Sequence, residues 1–181
     1  MWRLSSSSDR AALDVVDGRG RWEGFGAHYS RRTRDSKTFT GVGQEIVLVR
    51  DDAVWAVVRN RLPMPRGSGA SRGRTGETVE TRHMWRCNMF RNLGPIPSST
   101  LIRAAVQQTA WEWVERYGEL PSEDLTTEVK PAAITSEIPG YCYRRAGWVK
   151  VRERRGLIVF RCPRAQILRA MNEWRHQEMA R

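Results

Sequence analysis

The stretch RCNMFRNLGPIPSSTLIRAA, residues 86–105, decides how this chain is read. A strand pattern runs into Gly94, Pro95 and Pro97, two serines follow, and a helix pattern opens. The turn has two readings. In one, the prolines fix the path of the chain and Ser98 or Ser99 caps the helix. In the other, the helix start, with its free N–H groups and positive dipole end, cradles a phosphate.

Upstream, HMWRCNMF alternates: Trp85, Cys87 and Met89 share one face, and Met84, Arg86, Asn88 and Phe90 the other. Downstream, Ile102, Val106, Ala110, Trp113 and Tyr117 form a helical stripe that ends at Gly118 and Pro121. QEIVLVRDDAVWAVVRN reads as a hairpin turning at Asp51-Asp52, and DLTTEV as a short strand. GYCYRRAGW reads as a short helix stopped by Gly147. A second hairpin turns near Arg154 to Gly156, and a last helix starts at Pro163 and runs to about residue 178. Residues 1–20 read as a loosely held segment, and 21–181 as one domain carrying a basic Gly/Arg loop at about 60–80. The order predicts an α/β (α+β) domain with a mixed central sheet flanked by helices.

With 181 residues and 40% hydrophobic content, including eight tryptophans, the chain can bury a core without staples. No apolar run reaches the roughly 18 residues of a membrane span. Three cysteines without C-x-x-C spacing point to neither a disulfide framework nor a zinc site, and fit a reducing cytoplasm. No His/Asp/Glu cluster has metal-ligand spacing. The formal net charge of +11 comes mainly from arginine and attracts polyanions, nucleic acid first, through counterion release. Arg31, Arg32 and Arg34 in one run, and Arg66, Arg72 and Arg74 in the other, are the candidate backbone contacts. The alternative is arginine carried on solvated faces.

Strand, Gly/Pro turn, helix, strand and YRRAGW together resemble the acyl-CoA-binding half of a GNAT-fold N-acyltransferase, over roughly residues 44–160. Within that superfamily HYS (28–30), FRN…SS (90–99) and PGYCYRRAGW (139–148) look most like the phage Mom-type DNA modification proteins. The resemblance implies acetyl-CoA or a related acyl donor, with the strand at Asn88 and Phe90 bonding the pantetheine arm. It implies a pyrophosphate cradle at Arg91, Asn92 and Gly94. The usual last glycine or alanine is replaced by Ile96, and Pro95 and Pro97 bring no N–H. The hydroxyls of Ser98, Ser99 and Thr100, with charge from Arg91 or Arg103, are the candidates to compensate.

Tyr143, four residues before Gly147, corresponds by the same resemblance to a tyrosine that protonates a departing thiolate, with Tyr141 as its substitute; both rings can equally be packing groups. His28 is a candidate general base for an amine, with Tyr29 beside it on the acceptor side; a lone histidine is also commonly structural. Glu128 ends a strand on the far side of the GNAT gap. The leading expectation is a transferase acting on the adenine amino group in DNA. The base would have to leave the stack and rest on Trp22, Phe25 or Tyr29. The alternatives are an acetyl-CoA-dependent acetyltransferase for protein, tRNA or a small amine, and a non-catalytic nucleic-acid-binding protein on the same scaffold.

Overall fold

A computed structural model describes residues 1–31, 36–63, 81–134 and 136–179. Seven strands form one mixed sheet in the order β1-β2-β3-β4-β5-β7-β6. They are β1 (Arg3–Ser5), β2 (Gln44–Arg50), β3 (Ala53–Pro63), β4 (Thr81–Asn92), β5 (Leu125–Val129), β6 (Val149–Arg154) and β7 (Leu157–Cys162). Every pairing is antiparallel except β4 with β5. Four helices join them: α1 (Arg10–Asp17), α2 (Ser98–Tyr117), α3 (Tyr141–Arg145) and α4 (Arg164–Met179). This is the α+β architecture that the sequence predicts.

The helices divide unequally between the two faces. One face packs against α2, α3 and α4 through Ile46, Leu48, Trp55, Trp85, Ile102, Val106, Trp113 and Phe160. Aromatic contacts knit this core: Trp85 meets Trp113 edge-on at 5.3 Å, and the Trp55 indole N–H donates to Thr109 Oγ1 at 2.9 Å. The other face is covered by α1, where Ala12, Val15 and Val16 meet Val47, Val49, Val54 and Ala56.

Residues 1–20 are therefore not a loosely held segment. Trp2 is buried and its indole N–H donates to the Leu101 carbonyl; β1 pairs with β2, and Asp9 caps α1 by accepting from the Ala11 and Ala12 amides. Short polar runs hid this, because three strand residues and eight helix residues make little periodic pattern. Gly18 ends α1 at φ 65°, and a Cβ there would lie 2.4 Å from the Gly26 carbonyl oxygen, so only glycine lets that loop close.

The alternation expected along β4 breaks at one residue. Val57 pairs with Cys87 and Ala56 with Met89, so Asn88 is an extra residue, a β-bulge. Trp85 and Cys87 face α2 as expected, but beyond the bulge it is Phe90 that joins them, while Met89 turns to the α1 side. The same inversion carries Arg91 to the α1 side, where it donates to the Val16 and Phe25 carbonyls at 2.8 and 3.0 Å.

Candidate functional site

β4 and β5 are hydrogen-bonded partners only from Trp85–Leu125 to Cys87–Thr127. The bulge then bends β4 away, and a notch opens between the strands. The groups around it come from four segments distant in sequence.

On the α2 side stands Tyr143, carried by α3. Gly140 precedes that helix at φ 75°, and a Cβ on it would lie 2.2 Å from the Phe160 ring; this close approach seats α3 on β7. Tyr143 stacks on Phe160 at 5.9 Å and meets Trp148 and Phe90 edge-on, and its hydroxyl lies near the side chains of Thr127 and Cys87. Thr127 in turn donates to the Cys87 carbonyl at 3.0 Å. Burial pushes the phenol well above its ordinary value, so Tyr143 is a firmly protonated hydrogen-bond donor. Burial also pushes the Cys87 thiol up to about 12 and raises Cys142, which keeps both thiols out of the nucleophilic form near neutral pH. Tyr141 is 51% exposed at the first position of α3 and is not part of this cluster.

On the other side the segment 28–31 crosses the notch. The Tyr29 hydroxyl donates to the Glu128 carbonyl at 3.0 Å and Ser30 Oγ to the Asn88 carbonyl at 3.4 Å. Partial burial raises the Tyr29 phenol. A cavity of about 590 Å³ opens here, lined among others by Tyr29, Asn60, Arg86, Asn88 and Glu128. The side-chain oxygens of Asn60 and Asn88, two residues of its wall, are buried without a hydrogen-bond partner. The Glu128 carboxylate is exposed and lies 4.0 Å from the Arg86 guanidinium. Trp22 and Phe25 do not reach this cavity; Trp22 lines a separate one with Arg21 stacked over its ring at 4.8 Å.

His28 does not stand as a ready base. Its Nδ1 accepts from the Ser30 amide at 3.2 Å and lies 2.9 Å from the Ser30 hydroxyl, while its other side faces the Phe90 backbone. Burial and the nearby Arg91 charge lower it to about 4. The ring is neutral and weakly basic, and it stacks at 4.3 Å beneath Tyr29, which it positions.

The turn of residues 92–98 closes on itself. Asn92 donates to the Ile96 carbonyl at 2.8 Å and to Ser98 Oγ at 3.1 Å, and accepts from the Gly94 amide at 3.0 Å. Gly94 abuts the Asp52 carboxylate, where a Cβ would fall 1.8 Å from its oxygen. Pro97 takes the N-cap position with no side-chain cap, so neither Ser98 nor Ser99 caps α2. Arg91 is committed to the α1 side, and Arg103 donates to the Arg145 carbonyl at 2.8 Å. A standard coenzyme A pyrophosphate cradle does not fit this turn: its central amide is taken, two positions are proline, and both candidate cations are committed elsewhere. The amides of Ser98 and Ser99 and the hydroxyls of Ser99 and Thr100 remain as donors at the helix start.

Of the arginines expected at nucleic acid, Arg32, Arg34, Arg66, Arg72 and Arg74, with most of the loop at 60–80, lie outside the described residues. Arg31 is not a surface contact. Its side chain is 3% exposed, pairs with the buried Asp17 carboxylate at 2.8 Å, and donates to the Ser36 and Thr38 carbonyls. It ties the 31–38 segment to the end of α1.

The sequence pointed to Tyr143, Tyr29 and Asn88 as site residues, and the fold gathers all three. Thr127 and Asn60 went unnoticed as site residues because each is an ordinary strand residue; only the parting of β4 from β5 gives them a shared opening. The sequence matches no protein-family model and no curated protein. Among solved structures the fold resembles that of a protein described as a bacterial toxin, at 15% identity and a TM-score of 0.50, over 95% of this chain and 94% of that one.

Proposed function

We propose that this chain is a GNAT-like transferase that places a group on an exocyclic amine of a DNA base, adenine by the resemblance to Mom-type proteins. The observation that carries the reading is the notch between β4 and β5, with a buried tyrosine donor on one side and a polar cavity of about 590 Å³, roomy enough to admit a base, on the other. The strand order and the bulge at Asn88 favour the same scaffold. In this reading Asn60 and Asn88, which line the cavity, flank the amine of the acceptor. Glu128, at the cavity wall, takes the proton that the amine loses, and Tyr29 forms the wall against which the ring rests. Tyr143 steadies developing negative charge on the opposite side by hydrogen bonding. The turn of residues 92–98 does not hold coenzyme A in the standard way, and the amides at the helix start and the hydroxyls of Ser99 and Thr100 are what it offers an anionic donor.

The test is nucleoside mass spectrometry on DNA from cells expressing the wild type, Tyr143→Phe or Glu128→Gln. A new base mass in the wild type that falls at least tenfold in both variants supports the reading, and the added mass identifies the group. Unmodified DNA in all three, with folded protein present, argues against it. One observation favours a second reading, a nucleic-acid-binding protein without transfer: the turn of residues 92–98 spends its polar groups on itself. That protein would bind DNA and leave every base unchanged.

A further inference from the structure

The sheet is covered unevenly. Helices α2, α3 and α4 lie on one face, and α1 packs on β2 and β3 of the other. The half of that second face built by β5, β7 and β6 carries no helix among the described residues. Register fixes what it presents: Glu128 pairs with Val159 and Val159 with Arg152, Thr126 pairs with Arg161, and Leu157 with Arg154. Arg86, opposite Thr126 on β4, extends the same row.

Five arginines, at 86, 152, 154, 155 and 161, therefore line one open surface. Two have partners: Arg86 faces Glu128 at 4.0 Å, and Arg161 pairs with Asp124 at 3.2 Å. Arg152, Arg154 and Arg155 are exposed and make no ion pair with any described residue. Yet Val159 beneath them is buried, as arginine stems lying along a strand produce while their heads reach solvent.

A second observation is independent of charge. The β6–β7 turn is Arg155-Gly156, with φ 51° and 70°. Hairpin turns of this hand favour Asn-Gly or Asp-Gly. Arg155 is the one non-glycine residue with positive φ among the described residues, a conformation unfavourable for an ordinary side chain. A guanidinium held at a strained position, where a neutral residue fits better, points to use of the charge.

A third observation is continuity. A shallow cavity of about 230 Å³ lined by Glu128, Arg152, Arg154, Arg155 and Leu157 shares Glu128 and Leu157 with the larger cavity beside the notch. One trough thus leads from the arginines to the acceptor cavity.

We propose that this helix-free half of the sheet, β5-β7-β6, is a docking surface for the phosphodiester backbone of duplex DNA, with Arg152, Arg154 and Arg155 on the phosphates. The inference rests on the reading above for the identity of the polyanion, not for the chemistry. An anionic membrane is the less favoured occupant, because the trough ends in a cavity lined mostly by polar side chains.

The experiment is fluorescence anisotropy of a fluorescein-labelled DNA duplex across a range of salt concentrations. It compares the wild type, the triple variant Arg152→Gln/Arg154→Gln/Arg155→Gln, and a control of equal charge loss from the other face, Arg144→Gln/Arg145→Gln/Arg169→Gln. Circular dichroism checks that each is folded. The surface requires the log–log salt slope to fall by about 2–3 in the triple variant and to stay near wild type in the control. Equal losses in both variants, a wild-type slope in the triple variant, or capture by phosphatidylserine vesicles with no DNA binding would each overturn it. Transfer is read separately. Unmodified DNA with a reduced slope in the triple variant sinks the transfer reading and keeps the surface. A modified base with an unchanged slope does the reverse.

Discussion

A guanidinium within SRRTRD reads as a solvent-facing cation, yet Arg31 is 3% exposed against an Asp17 carboxylate that is 1% exposed. The pairing spans fourteen residues with no periodicity, so only the fold reveals it. Removing one partner of a buried pair strands the other charge. Arg31→Met should therefore cost about 3 kcal/mol in urea denaturation, the lower end of the range for such pairs, because Arg19 still lies 3.6 Å from Asp17. A loss below half that would show that the pair is not essential to the fold. His28 supplies a pH test. Its folded value of about 4 lies below the unfolded value near 6.5, so between the two the unfolded chain binds a proton that the folded chain refuses. Stability should fall by about 1–2 kcal/mol as pH drops from 6.5 to 4, after discounting for partial solvent access, and His28→Gln should flatten that part of the curve. Identical slopes in the two proteins would rule out His28 as the source. The short helix that carries Tyr143, by contrast, was legible from the spacing to Gly147, and the ring packs among Phe90, Trp148 and Phe160 as the packing reading expects.

At the scale of elements, strands β2 to β7 and helices α2 to α4 could be read from periodicity and turn chemistry, and their boundaries fall within a few residues of those expected. What could not be read was the single extra residue in β4. A bulge changes no composition and leaves the hydrophobic pattern intact, but it exchanges the faces of all that follows. Arg91 was expected at the cradle from its place in the motif that the resemblance implies; after the bulge at Asn88 it belongs to the α1 side. The turn beyond it then relies on Asn92, whose side chain makes three hydrogen bonds. Asn92→Ala should cost about 1–3 kcal/mol by stranding the Gly94 amide and the Ile96 carbonyl. Asn92→Asp keeps the acceptor for Gly94 and should recover part of the loss in the same denaturation assay. Equal loss in both would mean that the two donated bonds hold the turn, and full stability of the alanine variant would mean that the prolines suffice.

For the whole molecule, the asymmetry of coverage links stability to access. Helix α1, flanked by Trp22, Phe39 and Leu93, shields the apolar valines of β2 and β3, and β1 occupies the edge of β2. The sequence concealed this role because the first twenty residues are largely polar, and their few apolar groups, Trp2, Ala12, Val15 and Val16, have meaning only against a sheet formed later in the chain. Deleting residues 1–18 would uncover Val47, Val49, Val54 and Ala56 together and leave β2 as an open edge. The truncated protein should bind a hydrophobic dye such as ANS and lose its cooperative thermal transition, with aggregation growing as concentration rises. Val16→Asp separates the two contributions: it breaks the α1 contact and leaves β1 in place. If the point variant matches the truncation, the helix is the decisive shield; if only the truncation collapses, the edge strand is. A truncated chain with a wild-type melting transition would show that the sheet needs cover on one face only, and that α1 serves to hold Arg91 and the 28–31 segment over the notch.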